Sequence, residues 1–235
     1  MTEESSISAK RLLEFSVALG ALTLVATYLI STTGGRVVPF IPIISEMPFA
    51  GPESSFYGPG LAISIFSFIL LAQVFHRIFT PLTRELGGNY ESGNDLIRII
   101  ATFGGVCGII AVNFHWIDYP ILHGVTAGIL FTSFLVWGAF AWRLLEKSGR
   151  KHNVRRYAIY SGWLFYILMI LFSGLDSQEL ITEGQSPFHR LDNPPSVDDS
   201  RSLYLNLTAF CEWSMVFSFY VGALTFRQEL EGVRL

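Results

Sequence analysis

Six apolar runs constrain the fold of this chain more than any other feature. Each run is 19 to 24 residues long, and together they cover residues 12–31, 59–79, 96–115, 121–143, 157–175 and 203–226. A helix needs about 20 mostly apolar residues to cross a bilayer, whereas a barrel strand needs only about 9–11 residues of alternating character. The runs therefore predict an all-α membrane protein, a bundle of six transmembrane helices that forms a single membrane domain over residues 1–235.

The composition excludes a soluble fold and a nucleic-acid partner. Charged residues make up 15% of the chain, against about 25% in ordinary globular proteins, while hydrophobic residues make up 51%. So few charges cannot cover the surface of a soluble domain. The net charge is −3, whereas a nucleic-acid-binding protein usually carries a strong positive charge.

The distribution of basic residues predicts that both termini are cytosolic. With this orientation, 13 of the 16 Lys and Arg residues lie on the cytosolic side, and only Arg36, Arg190 and Arg201 lie outside. Short cytosolic segments of membrane proteins are enriched in Lys and Arg, so this distribution favours the orientation strongly. An even number of spans then returns the C-terminus to the cytosol.

The positions of the prolines help to decide whether this membrane protein is a secondary transporter. We expect all ten of them to lie in connections or at the first turn of a span, including Pro59 at the start of the second run and Pro81 just after its end. Proline is tolerated at the first turn because its missing N–H has no partner there anyway. Secondary transporters often carry helices broken near the substrate site. The placement of the prolines therefore disfavours a transporter.

Polar side chains at membrane depth are costly and often mark functional positions. Glu212 lies in the sixth run, His123 in the first turn of the fourth run, and Asn113 near the end of the third. In the predicted orientation they lie in the outer half, near the first connection, which carries Glu46 and Glu53. A carboxylate and an imidazole here are compatible with a proton relay, a metal site or a hydrolytic pair, and also with hydrogen bonds that hold helices together.

The spacing of the histidines gives no metal-binding pattern, so we expect neither a metal nor a cofactor. A bare charge in hydrocarbon costs at least about 2.5–3.5 kcal/mol. We therefore expect Glu212 to be protonated at pH 7 or bonded to a donor on the third or fourth helix. Asn113, His123 and Thr126 are the nearest candidates.

Two connections have unusual compositions. The first contains the apolar stretch VVPFIPII over residues 37–44, and burying a large apolar side chain contributes roughly 1.5–3 kcal/mol. We therefore expect residues 37–56 to pack against the outer helix ends.

The fourth connection carries six basic residues: Arg143, Lys147, Arg150, Lys151, Arg155 and Arg156. Such a cluster attracts anionic inner-leaflet lipids at about 1 kcal/mol per basic residue, although the cytosolic bias alone also places basic residues there.

Three motifs resemble those of the DRAM family, the damage-regulated autophagy modulators. The first connection reads GRVVPFIPIISE from Gly35 and GPESSF from Gly51, similar to the family pattern NPFLPYISDTG…PPES-F. The third and fourth runs meet at VNF from Val112 and PILH from Pro120, similar to ANF…P-VH…GA. The sixth run reads CEW from Cys211 and continues to LTFRQEL, similar to CEW…LTF-QDF.

By this resemblance the chain is identified as a member of the six-transmembrane Frag/DRAM/Sfk superfamily. The resemblance implies a non-enzymatic regulator of lysosomal or endosomal membranes that promotes autophagy, with the plasma membrane as the alternative location. We also expect membrane lipids as partners, including anionic inner-leaflet lipids, and protein partners at the cytosolic loops. Wider relatives include regulators of phosphoinositide kinase and a GPI-anchor remodelling factor. The alternative function is therefore a lipid-modifying enzyme, or a lipid or ion carrier, that uses Glu212 and His123.

Overall fold

The computed structural model describes residues 7–38, 40–48, 51–185 and 202–235, so Pro39 of the first motif lies outside the described residues. Six helices are long and apolar enough to cross a membrane, which confirms the predicted all-α, six-span fold. They are α1 (Ala9–Thr33), α2 (Pro52–Leu86), α3 (Tyr90–Asn113), α4 (Pro120–Lys147), α5 (Asn153–Thr182) and α6 (Leu203–Leu224). A short 3₁₀ turn, Ile44–Glu46, lies in the connection between α1 and α2.

The second helix begins earlier and ends later than its apolar run. It starts at Pro52, directly after Gly51, whose φ of +77° is readily adopted only by glycine. Pro59 and Pro81 therefore lie inside α2, and the expectation that no proline lies inside a helix is wrong. Helical turns outside the hydrocarbon layer need not be apolar, so hydropathy does not mark where such a helix ends. The placement of the prolines therefore no longer disfavours a transporter.

Neighbouring helices in the chain pack against one another. The most extensive contacts join α1 to α2, α2 to α3, α3 to α4 and α5 to α6, whereas α4–α5 and α1–α6 contacts are smaller. We call the end of the bundle that carries the connection 34–51 the first-loop end. The opposite end, which holds residues 7–9 and 225–235, is called the terminal end.

Small residues of α3 allow its neighbours to approach closely. A β-carbon at Gly104 would collide with Ser133 of α4, and one at Gly105 would collide with Ile69 of α2. Helices in a lipid bilayer associate mainly through close packing of their backbones, because burying apolar surface gains little free energy when the lipid is apolar as well. The glycines of α3 therefore place α3 tightly between α2 and α4.

The first connection packs onto the bundle, as its composition predicts. Val37, Ile44 and Met47 are buried, and Ile44 and Met47 belong to a cluster of buried side chains at the first-loop end. Phe40 is the exception among these apolar residues, since its side chain is 74% exposed. The 3₁₀ turn thus forms a roof over the ends of the helices.

The segment that follows α6 closes the terminal end. Leu230 is fully buried, and backbone hydrogen bonds of 3.0 Å join Ala9 to Val233 and Leu235 to Ile7. The two ends of the described chain are therefore tied together at the same side of the bundle.

Candidate functional site

Glu212 binds the roof and not a neighbouring helix. Its Oε2 atom accepts a hydrogen bond from the backbone N–H of Ile44 at 2.6 Å, and the residue is 8% exposed. The next residue, Trp213, donates its Nε1 proton to the carbonyl oxygen of Pro42 at 2.8 Å. We call this pair of hydrogen bonds the α6 latch, because it fastens the first connection to α6.

The predicted donors for Glu212 on the third and fourth helices are wrong. Asn113 donates to the carbonyl oxygen of Ile109 at 2.8 Å, and Thr126 donates to that of Leu122 at 2.7 Å. Both side chains therefore bond their own helices. The N–H groups at the start of a helical turn have no partner within that turn, which leaves the amide of Ile44 available to the carboxylate.

His123 joins the start of α4 to the end of α3. Its Nδ1 atom lies 2.9 Å from the carbonyl oxygens of both Ala111 and Phe114. Carbonyl oxygens only accept hydrogen bonds, so Nδ1 must carry the proton. The contact fixes both the orientation of the ring and its tautomer.

The two acidic residues of the first connection and α2 are engaged separately from Glu212. Glu46 accepts the backbone N–H of Ile43 at 3.0 Å and so caps its own turn. Glu53 is fully buried and forms a two-pronged ion pair with Arg36, at 2.5 Å from Nε to Oε1 and 2.8 Å from Nη2 to Oε2. Both carboxylates thus stabilise the first-loop end.

Glu212 and His123 line one cavity of about 120 Å³ beneath the roof. Its walls come from α1, α2, α3, α4, α6 and the 3₁₀ turn, whereas Asn113, Glu46 and Glu53 do not line it. The structure therefore brings together two of the five residues of the predicted polar cluster.

Tyr57 also lines this cavity, and the sequence reasoning missed it because it precedes the second apolar run. A periodic signal was present in the sequence. Tyr57, Leu61 and Ile65 recur at intervals of four residues on one face of α2, and all three line the cavity.

The described residues contain no group of three or more His, Cys, Asp or Glu side chains arranged to hold a metal ion. Cys107 and Cys211 are both buried free thiols. The cavity therefore offers one carboxyl group, one imidazole, and phenolic and serine hydroxyls within a mostly apolar wall. Such a set can hydrogen-bond and can balance a positive charge.

The structure separates Arg155 from the predicted basic surface. Its side chain is 1% exposed and bonds Glu229 and Thr225 at the terminal end, so it does not face lipid headgroups. The sequence places it among basic residues, but its position on α5 turns it into the bundle. The exposed members of the cluster are Arg143, Lys147, Arg150 and Lys151, while Arg156 is partly buried.

Comparison with known proteins decides the family. The family model of the Frag1/DRAM/Sfk1/Cwh43P N-terminal domain matches residues 9–233. The chain belongs to this family. Two similar relatives carry the name DNA damage-regulated autophagy modulator protein 1. The Xenopus laevis protein is 26% identical over 217 residues, which cover 89% of this chain and 85% of the relative. The human protein is 25% identical over 222 residues, which cover 93% and 90% respectively. No solved structure matches this member of the family.

The α6 latch yields a first prediction about Glu212. Glu212→Gln should leave stability nearly unchanged because an amide oxygen still accepts the N–H of Ile44. Glu212→Ala should lower stability by about 1–3 kcal/mol, since it leaves a buried N–H without an acceptor. Thermal unfolding of the purified protein in detergent measures both effects, with the exposed Glu179→Ala as the matched control. Equal losses in the Gln and Ala variants would contradict this role of the acceptor oxygen.

Proposed function

We propose that this chain is a non-enzymatic integral membrane regulator that promotes autophagy in lysosomal or endosomal membranes. Its membership of the family supports the proposal, together with the names of relatives that align with most of its length. The proposal that the protein is non-enzymatic is supported by the structural hydrogen bonds of Glu212 and His123. The carboxylate fastens the first connection, and the imidazole ties α4 to α3.

The proposed regulator has its terminal end in the cytosol. The excess of Lys and Arg on this side supports the orientation. Arg143, Lys147, Arg150 and Lys151 are exposed there and are suited to contact anionic lipids of the cytosolic leaflet or a protein partner.

Cysteine labelling in intact cells tests the orientation. Both native cysteines are buried within spans, so an Arg150→Cys variant should react with a membrane-impermeant maleimide only after the plasma membrane is selectively permeabilised. A Thr33→Cys variant at the first-loop end serves as the opposite control, and it should stay protected inside a sealed organelle. Reversal of the two patterns would contradict the proposal.

Rescue of autophagic flux tests the function. In cells that lack their own copy, the wild-type chain should restore turnover of a lipidated autophagosome marker, measured with and without a lysosomal inhibitor. Glu212→Gln should restore it equally at matched abundance, because the latch needs only an acceptor. Imaging against lysosomal and plasma-membrane markers then tests the location.

The second candidate function is that of a lipid or ion carrier, or a lipid-modifying enzyme. It is favoured by one observation, the cavity that lies directly beside Glu212 and His123. Loss of flux in Glu212→Gln at normal abundance and location would support this function over the regulator, because that variant preserves the latch and removes only the charge.

A further inference from the structure

Two polar atoms of buried residues beside the cavity have no hydrogen-bond partner within the part of the chain that the structure describes. Oε2 of Glu212 is bonded to Ile44, but Oε1 accepts no hydrogen bond there. The hydroxyl of Tyr57 likewise has no partner, although the residue is only 4% exposed. Most buried polar groups in proteins are hydrogen-bonded. Both residues line the cavity, so a molecule inside it can satisfy these two atoms.

The cavity presents acceptors in preference to donors. Nδ1 of His123 holds its proton on backbone carbonyls, so Nε2 of the neutral ring is an acceptor. Oε1 of Glu212 is an acceptor when ionised, and the Tyr57 hydroxyl can accept as well. A matching occupant must therefore bring several N–H or O–H donors.

Most of the remaining wall is apolar, which limits the remainder of the occupant. Leu61, Ile65, Phe131, Phe134 and Met215 contribute to it, and Ser45, Ser64 and Tyr220 add hydroxyl groups. The cavity measures about 120 Å³. For comparison, an apolar cavity of about 150 Å³ binds benzene, which has six heavy atoms, so roughly five heavy atoms fit here.

We propose that this cavity binds a small primary ammonium compound with an apolar body. The ammonium group carries three N–H donors, which suit the carboxylate of Glu212, the hydroxyl of Tyr57 and the ring of His123. Its charge balances the buried carboxylate, so neither ion is left alone in the interior. The apolar body lies against the side chains of α2, α4 and α6. This inference goes beyond the regulatory role and does not rest on it.

Binding of matched four-carbon probes to the purified full chain in detergent tests the proposal. The probes are n-butylamine, 1-butanol and butanoate, which share a chain and differ in the head group. Calorimetry should show n-butylamine binding at least about tenfold more tightly than 1-butanol, a difference of about 1.4 kcal/mol. Butanoate should not bind, because its charge repels Glu212.

Three variants assign the binding to the cavity. Glu212→Gln keeps the hydrogen bond to Ile44, so it should fold, lose the preference for the amine and bind 1-butanol as before. Ala127→Leu fills the cavity from α4 and should abolish binding of both probes, which also provides the blank for partition into micelles. Glu179→Gln removes an equivalent exposed charge and should change nothing.

The outcomes separate this proposal from the regulatory role. Equal binding of the amine and the alcohol, an unchanged preference in Glu212→Gln, or no binding of any probe would each overturn the ammonium site. None of these results alters the rescue of autophagic flux. Failure of that rescue, in turn, leaves the binding result intact.

Discussion

Replacing Arg155 by methionine should destabilise the folded bundle by about 3–5 kcal/mol, because the variant leaves a buried carboxylate without its cation. Nη2 of Arg155 donates to Oε1 and Oε2 of Glu229 at 2.8 and 3.0 Å. The same nitrogen donates to the carbonyl oxygen of Thr225 at 2.7 Å, and the guanidinium carbon lies 4.1 Å from the centre of the Phe226 ring. One side chain thus fixes the segment that follows α6.

Thermal unfolding in detergent measures the loss, which should appear as a midpoint lower by roughly 10 °C for a chain of this length. Arg150→Met removes an exposed cation from the connection that precedes α5 and serves as the matched control. Combining Arg155→Met with Glu229→Met should recover much of the stability, because no unpaired charge then remains buried. A single variant as stable as the control would show that the ion pair contributes nothing.

The sequence was sufficient to predict the six spans because each must supply its own apolar run to cross the bilayer. The ends of the helices were less predictable, and α2 shows why. Its first turns, PESSFYG, contain no aliphatic side chains such as Leu, Ile or Val, and they are helical because Gly51 redirects the chain and Pro52 suits a helix start. Neither effect has a hydropathy signal.

The candidate site was predicted in part. Glu212 and His123 were identified from their cost at membrane depth, and they do line one cavity. The donor for Glu212 was missed because it is a backbone amide 168 residues away in the chain, at Ile44. Backbone groups carry no residue-type signal, so a search over polar side chains cannot find such a partner.

The ion pairs at the two ends were not predictable from charge counts. Arg155 contributes to the excess of basic residues on the side predicted to be cytosolic, but it pairs with Glu229, 74 residues later. Arg36 counts as an exception to that excess, and the structure gives it a partner in Glu53. In both cases the packing of the helices determines which carboxylate lies next to the arginine, and that partner determines the role of the charge.

The second large effect is expected for Arg36→Met at the first-loop end. Glu53 is fully buried in the first turn of α2, where it accepts both prongs of the guanidinium and a bond from Ser31 at 3.3 Å. Arg36 also donates to the carbonyl oxygen of Ile30 at 3.1 Å, near the end of α1. Removing the cation should therefore cost about 3–5 kcal/mol and loosen the junction of α1 with α2.

Hydrogen exchange distinguishes this loss from that of Arg155→Met. The variants act at opposite ends of the bundle, so Arg36→Met should accelerate amide exchange in the roof and the residues next to it, 43–47, by a larger factor than in the segment after α6. Arg155→Met should show the reverse, since local opening follows the loss of local contacts. Uniform acceleration along the chain in both variants would mean that the bundle opens only as a whole. The two ion pairs would then stabilise one cooperative unit, and the roof over the cavity would not open separately from the helices beneath it.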